Sequence, residues 1–177
     1  REKDDVATQV TVTSFNHYET SQVSAPVGSN FAIRNLFYNT PARRKFLKSD
    51  NVELKHIVEE FSRVALTRPD VGFTLNSNGR DMYVLKPAKS LKYRVLDLLG
   101  ANVVGDVVEV ETETAMVKVS GFVGKPDTAR KTLGNQFFFV NGRPVKIPAA
   151  VPALDEAYKN RIMVGRVPMC FLRIGIP

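Results

Sequence analysis

The segment NLFYNTPARRKFLK occupies residues 35–48, and its pattern changes abruptly in the middle. An apolar, strand-like run ends at residues 39–41, and the consecutive cations Arg43, Arg44 and Lys45 follow. The pattern predicts a strand that ends in a turn, presents these cations at an element boundary and continues into an amphipathic helix. Loops held by rigid elements commonly carry function. A solvated basic turn ahead of a surface helix is the alternative interpretation.

The composition is that of a folded, basic protein. The chain has 177 residues, 44% of them hydrophobic, which suits one ordinary domain or a small domain plus part of another. Its formal net charge is +7 and its pI is about 9.6. This charge favours an anionic partner, most simply nucleic acid, although a basic chain can also be merely soluble.

Several function classes find no support in the residues. The single cysteine, Cys170, cannot form an internal disulfide, so we expect a reducing compartment and a buried thiol. No apolar run approaches the roughly 20 residues that span a bilayer, and the start has no cationic and apolar leader. His17 and His56 are the only histidines, and neither a zinc pattern nor a nucleophile–base pair occurs. We therefore predict a soluble intracellular protein with no catalytic residue and no metal ligand in this chain.

The first third of the chain predicts strands and then a helix. Residues 9–15 alternate apolar and polar side chains, as a half-buried strand does, and residues 24–29 form a loop. Phe31, Ile33 and either Leu36 or Phe37 are expected to rebuild a strand.

A helix is predicted over residues 50–66, where apolar side chains fall on one helical face. Asp50 is the expected N-cap, with Glu53 three residues later in a capping box. The helix should end before Pro69, because proline disfavours helical geometry in the residue that precedes it.

The remaining chain predicts a mostly antiparallel sheet with short helices. The first elements are a hairpin of residues 71–75 and 82–84 with its turn at 76–79, a helix over 91–99 that ends at Gly100, and a strand pair at 106–110 and 115–123. A buried strand at 136–140 follows, with a turn at 141–142 toward Val145. A helix over 147–160 and a last strand at 169–174 complete the chain; Pro148 is tolerated in the first turn of that helix, whereas Pro152 fits it poorly. Their order predicts an α+β fold with helices packed on one face of the sheet, and a boundary near residues 67–70.

Two motifs carry a family resemblance. The run from Gly28-Ser29 through residues 36–47 (LFYNTPARRKFL) resembles the MutL family of DNA mismatch repair proteins. Residues 137–143 (FFFVNGR) resemble the second signature of that family, and the order and separation of the two motifs also match. The resemblance covers essentially the whole chain.

The resemblance implies a fragment of a larger protein with two domains. Residues 1–66 would be the last strands and helix of a GHKL-type ATPase domain, and residues 67–177 most of a transducer domain that resembles ribosomal protein S5 domain 2. The ATP- and Mg-binding motifs of the family would lie upstream, and a lysine that reaches the nucleotide would follow Pro177. We expect the parent protein to be a weak ATPase that uses ATP and Mg, and the fragment alone to be inactive. Gly28 and Ser29 would lie beside the nucleotide base, with serine keeping the hydroxyl of the family's threonine.

The resemblance and the charges together give the candidate DNA contacts. In the family, the arginine that matches Arg143 is associated with DNA binding, and the alternative is an ordinary solvated turn cation. Arg43, Arg44 and Lys45 are candidates because cations on phosphates release counterions without reading sequence. Alternatively, Arg43 or Arg44 folds inward to brace the turn against a carboxylate.

A second basic group lies in the long loop of residues 124–134. Its cations are Lys125, Arg130 and Lys131. Long loops in compact domains are often functional or mobile, so this group forms a DNA-facing patch or serves solubility.

The function implied is that of a mismatch repair protein. It would bind duplex or single-stranded DNA without sequence specificity and couple ATP binding and hydrolysis in the parent to repair signalling. The implied partners are mismatch-recognition and downstream repair proteins, and the parent would be a homodimer in the cytoplasm, near the nucleoid, without a membrane. A generic basic S5-like module that binds RNA is the alternative, and an enzyme complete in this chain is disfavoured because acid–base machinery is missing.

Overall fold

The computed structural model of the chain describes residues 6–14, 17–131 and 135–177. Contacts divide the chain into two compact units, Arg1–Leu47 and Lys48–Pro177. The helix of residues 50–67 belongs to the second unit by its contacts. The domain boundary predicted near residues 67–70, between the ATPase and transducer segments that the resemblance implies, stays a prediction.

The first unit contains a β-hairpin and a short helix. Strand β1 (Ala7–Ser14) pairs antiparallel with β2 (His17–Val23), and helix α1 spans Pro41–Lys45. The strand predicted over residues 9–15 is confirmed up to Ser14, and residues 15 and 16 lie outside the described residues. Strand β2 is not predicted from the sequence, because most of its residues are polar and no alternation of apolar and polar side chains is visible.

The strand predicted over residues 31–37 is wrong. Residues 24–34 have no regular structure, and a turn follows in which Asn35 and Phe37 have φ angles of 52° and 63°. Such positive φ values are incompatible with an extended strand. Phe31 and Ile33 are 89% and 82% exposed, and no described strand pairs with them. The apolar residues have the composition of a strand, but a strand also needs a hydrogen-bonding partner.

The second unit contains the remaining helices and strands. They are α2 (Asp50–Thr67), β3 (Phe73–Ser77), β4 (Arg80–Leu85), α3 (Leu91–Leu99), α4 (Val103–Asp106), β5 (Val107–Glu113), β6 (Lys118–Gly124), a 3₁₀ turn (Pro126–Thr128), β7 (Gln136–Val140), β8 (Arg143–Val145), α5 (Ala150–Ala157) and β9 (Cys170–Gly175).

The N-cap of helix α2 lies one residue earlier than predicted. Ser49 is the N-cap, with extended backbone geometry, and its carbonyl accepts hydrogen bonds from the N–H groups of Val52 and Glu53 at 2.8 and 3.0 Å. The Glu53 carboxylate accepts from the Lys48 N–H at 2.8 Å. Asp50 is therefore inside the first turn, where its charge complements the helix dipole.

The turns predicted from asparagine and glycine are confirmed. Strands β3 and β4 are antiparallel, and Asn78 and Gly79 at their turn have φ angles of 52° and 78°. The Asn76 side chain accepts a hydrogen bond from the Gly79 N–H at 3.0 Å. Gly100 ends α3 with a φ of 90°, as expected for a helix stop.

Helix α5 is shorter than the predicted 147–160. It spans Ala150–Ala157, so Pro148 precedes it and Pro152 lies in its first turn. The N–H groups of a first turn have no partner within the helix, so proline there removes no helical hydrogen bond. The proline that made the prediction awkward is thus compatible with the observed start.

The main sheet has five strands in the order β5-β6-β9-β7-β8. All neighbours are antiparallel except β7 and β9, which are parallel. The prediction of an α+β fold with a mostly antiparallel sheet is confirmed.

The helices pack on both faces of this sheet, not on one as predicted. Phe137 and Phe139 join one core cluster with residues of α2 and α3, whereas Phe138 joins another with Leu154 of α5. Neighbouring residues of a strand point to opposite faces. Because three consecutive phenylalanines place large apolar groups on both faces, both faces need a cover.

A fully buried arginine holds the connection between α2 and β3. Arg94 on α3 donates from Nη2 to the carbonyls of Pro69 and Val71 at 2.7 and 2.6 Å. Its guanidinium carbon lies 5.7 Å from the centre of the Phe73 ring. These contacts offset part of the cost of burying the charge, while Arg94 Nε and Nη1 have no hydrogen-bond partner among the described residues. Arg94 thereby fixes the chain path after α2.

Gly121 allows β6 and β9 to approach each other. Its φ is 139°, and a Cβ there would lie 2.0 Å from the Phe171 carbonyl oxygen.

We expect Gly121→Ala to destabilise the second unit by about 3 kcal/mol, because the free-energy costs of the steric clash and of the strained backbone are summed. Gly105→Ala is the matched control, since a Cβ there meets nothing within 4 Å. Urea denaturation followed by circular dichroism measures both, and equal stability of the two variants would contradict the close approach.

Burial determines the chemistry of Cys170. Its side chain is fully buried, and burial raises the pKa of the thiol to about 12. The reactive thiolate is therefore scarce in the folded protein near neutral pH. We expect a neutral alkylating reagent to modify Cys170 slowly in the native chain at pH 7 and at least about 100-fold faster in urea. Equal rates in both conditions would mean that the thiol is accessible.

Candidate nucleic-acid interface

Arg143 follows a tight turn at the end of a buried strand. Asn141 and Gly142 have φ angles of 47° and 77°, the left-handed geometry of a two-residue hairpin turn. Val140 and Arg143 are opposite each other in the β7–β8 register. Arg143 is exposed, and none of the described acidic side chains forms an ion pair with it. The sheet thus fixes the backbone while the guanidinium group is free to reach a phosphate.

Asn141 connects this turn to the chain that follows β9. Its Nδ2 donates to the Ile176 carbonyl, and its Oδ1 accepts from the Ile176 N–H, both at 3.0 Å. Its backbone N–H donates to the Ile174 carbonyl at 2.9 Å. The side chain therefore pairs with residue 176 much as a neighbouring strand would. A motif match alone did not predict this role, although an asparagine in a left-handed turn is a known signal for side-chain bonding to backbone.

The backbone of the second basic group is also fixed. The Lys125 N–H donates to the Asp106 carbonyl at 2.7 Å. Arg130 and Val167 exchange both backbone hydrogen bonds, at 3.0 and 2.8 Å. The side chains of Lys125, Arg130 and Lys131 are exposed, and residues 132–134 of the predicted loop lie outside the described residues. The structure therefore presents these three cations to solvent from an anchored backbone.

The chain between α5 and β9 adds cations to the same end of the sheet. Tyr158 donates from its hydroxyl to the Gly124 carbonyl at 2.5 Å, and Arg166 donates to the Ala129 carbonyl at 3.0 Å. Arg161 is exposed between these anchors. Neither Arg161 nor Arg166 is among the predicted contacts, although the cation density of residues 159–166 was a usable signal.

The two basic groups of the second unit lie at opposite ends of the sheet. Strand β7 runs from Gln136, beside Cys170 and the end of β6, to Val140, beside Ile174. The Lys125–Lys131 loop lies near the first end and the Arg143 turn at the second. Five strand residues separate the ends by roughly 13 Å of backbone. The structure therefore does not merge the predicted contacts into one patch.

The three cations of the first unit lie on α1. Arg43, Arg44 and Lys45 are exposed, and the Arg44 N–H donates to the Thr40 carbonyl at 3.2 Å. No ion pair to a carboxylate is found for them among the residues that the structure describes. The alternative in which Arg43 or Arg44 braces the turn through a carboxylate thus has no support in the described part of the chain.

Gly28 and Ser29 are exposed in the irregular segment after β2. Gly28 has a φ of 144°. A Cβ at this position would meet nothing within 4 Å, so the space beside the glycine is open. Within residues 6–14, 17–131 and 135–177, no group of three metal-ligating side chains occurs. In the same ranges, no helix is long and apolar enough to cross a membrane.

Comparisons with known proteins agree with the two motifs. A model of the C-terminal domain of DNA mismatch repair proteins matches residues 95–177. The chain is 42% identical to the DNA mismatch repair protein MutL of Phocaeicola vulgatus over 97% of its length, and 44% identical to MutL of Bacteroides fragilis over 93%. It spans only 27% and 26% of these relatives.

Solved structures show the same relationship. The chain superposes on the MutL ATPase domain of Aquifex aeolicus, solved in complex with ADP, with a TM-score of 0.76 and 28% identity, over 99% of this chain and 64% of that one. The N-terminal domain of a DNA repair protein shares the fold, with a TM-score of 0.81 and 19% identity over 100% of this chain and 59% of that one. The fold and motifs are those of the DNA mismatch repair class. Within that class, the chain belongs to the MutL family.

The Asn141 contacts generate a local prediction. Asn141→Gly keeps the left-handed turn but removes both side-chain bonds to residue 176. Because each of the two bonds contributes about 1 kcal/mol, we expect the Ile176 amide to exchange its hydrogen roughly 30-fold faster. Amide exchange measured by NMR tests this, with the Phe138 amide of β7 as the internal control. Unchanged exchange at Ile176 would show that the side chain does not hold the segment.

Proposed function

We propose that this chain is the part of a MutL-type mismatch repair protein that binds DNA without sequence specificity and couples the nucleotide state of the parent to repair signalling. The exposed Arg143, held at a rigid turn without a described acidic partner, is the observation that carries this proposal. A cation held in this way can contact a phosphate without a large cost in backbone ordering.

The charge distribution supports binding to the nucleic-acid backbone rather than to base edges. The net charge of +7 and the cations of both basic groups favour polyanions. Such binding releases counterions, weakens with salt and is blind to sequence. A repair factor that must act at any mismatch needs that property.

The coupling proposal rests on the connection between the turn and the chain after β9. Asn141 joins the backbone of Arg143's turn to residues 174–176. A change in the path of the chain beyond β9 would then shift the turn that precedes Arg143. The ATP and Mg of the parent, its homodimer, its contacts with mismatch-recognition and downstream repair proteins, and its cytoplasmic location are parts of the same proposal, supported by the MutL relatives.

Reversal of the Arg143 charge is the direct test. We expect Arg143→Glu to weaken binding of duplex DNA for all sequences alike, because attraction to one phosphate becomes repulsion. The slope of log affinity against log salt should flatten by roughly one unit. Stability should change by less than about 0.5 kcal/mol, since the side chain is exposed. Fluorescence anisotropy with two unrelated duplexes at several salt concentrations measures this.

Lys92→Glu is the matched control. Lys92 is exposed on α3 and its reversal changes the net charge equally. If both variants lose the same affinity and slope, the effect is one of net charge and the proposed contact is wrong. A structured RNA competitor that displaces the wild-type chain more effectively than duplex DNA would favour the RNA-binding module instead.

A further inference from the structure

The two edges of the five-stranded sheet differ in a way that concerns partners. Strand β8 at one edge has three residues and contains Pro144, which cannot donate to a further strand. Strand β5 at the other edge has seven residues, Val107–Glu113, and pairs with β6 without a bulge. Its outer side pairs with no strand among the described residues. Regular edges of this kind accept additional strands unless charges or bulges prevent it.

The two faces of the β5 edge have opposite chemistry. Glu109, Glu111 and Glu113 are exposed on one face, at the positions opposite Phe122, Ser120 and Lys118. Val108, which is 48% exposed, and the half-buried Val110 lie on the other face. An added strand would therefore meet carboxylates on one side and β-branched side chains on the other.

The acidic character is concentrated. Residues 106–113 contain Asp106 and the three glutamates but no cation, in a chain of net charge +7. Lys118 forms ion pairs with Glu111 and Glu113 at 3.1 and 3.2 Å, whereas Glu109 has no ion pair among the described residues. The edge thus keeps a negative charge that repels nucleic acid and attracts cationic groups.

We propose that the β5 edge is a docking site for an extended protein segment that alternates basic and apolar residues and adds to the sheet as a sixth strand. Backbone hydrogen bonds supply affinity in this mode of recognition, and alternate side chains supply specificity. The basic residues meet Glu109, Glu111 and Glu113, and the apolar residues cover Val108 and Val110. This proposal does not depend on the DNA-binding proposal.

A second copy of β5 does not fit this edge. In an antiparallel register that brings the valine faces of two copies together, the glutamates of one copy oppose those of the other. Like charges directly opposite each other destabilise strand pairing. Registers that avoid this repulsion place valines opposite glutamates and lose the apolar match. The charge therefore selects a different, cationic strand.

The experiment uses the 177-residue chain and a blocked seven-residue peptide that alternates lysine and valine. A peptide of the same composition, with its four lysines before its three valines, is the control for plain charge attraction. We expect the alternating peptide to bind at least tenfold more tightly by calorimetry. Hydrogen exchange should show new protection confined to amides of β5.

Variants separate the edge from the overall charge. Glu109→Lys should weaken the alternating peptide about tenfold at low salt, since an exposed ion pair is worth up to about fivefold and reversal adds repulsion. Asp155→Lys, an exposed change of equal charge on α5, should leave the affinity unchanged. Circular dichroism melts confirm that both variants fold.

Each other outcome overturns the proposal. Equal binding of both peptides, protection outside β5, equal losses in both variants, or no binding at millimolar peptide would mean that the glutamates only guard the edge against pairing. Protection of β5 amides by duplex DNA would assign the edge to nucleic acid. If Arg143→Glu loses DNA binding but binds the peptide normally, the peptide site at β5 is independent of the DNA contact at Arg143.

Discussion

Strand β9 lies between β6 and β7, antiparallel to the first and parallel to the second, and the rest of the second unit depends on this placement. Phe171 on β9 is fully buried and its ring stacks on that of Phe137, with centroids 5.7 Å apart. Burial of each such ring stabilises the fold by about 2–3 kcal/mol. The neighbouring β6 approaches so closely that only glycine fits at residue 121. The neighbouring β9 residues Phe171 and Cys170 belong to the two core clusters on opposite faces of the sheet, so β9 contributes to both.

The same central strands position the charged groups at the rim. Because β7 and β9 are parallel, Gln136 and Cys170 lie at one end while Val140 and Ile174 lie at the other. The turn that carries Arg143 therefore extends from a rigid strand end, and Asn141 connects it to residue 176. The loop of Lys125 and Arg130 is anchored at the opposite end through Val167. A polyanion that contacts both ends must follow the sheet rather than a single patch.

Acidic and basic side chains occupy different parts of the five-stranded sheet. The proposed DNA-binding cations of the second unit lie at or beside turns and connections, whereas three glutamates line the long strand β5. Coulomb forces then direct a polyanion away from β5 and a cationic segment toward it. The proposed DNA contacts of the second unit and the proposed docking edge thus lie at separate places on that unit.

The sequence by itself determined what depends on local chemistry. The asparagine and glycine turns at residues 78–79 and 141–142 follow from their tolerance of positive φ, and the strands around them follow from alternation. The motifs around Arg43 and Arg143 were also sufficient to predict the family. Only the tertiary structure decided which strands pair, because pairing joins residues far apart in the chain. It showed that residues 31–37 lack a partner and form no strand, that helices cover both faces, and that the predicted DNA contacts of the second unit separate to two ends of one sheet.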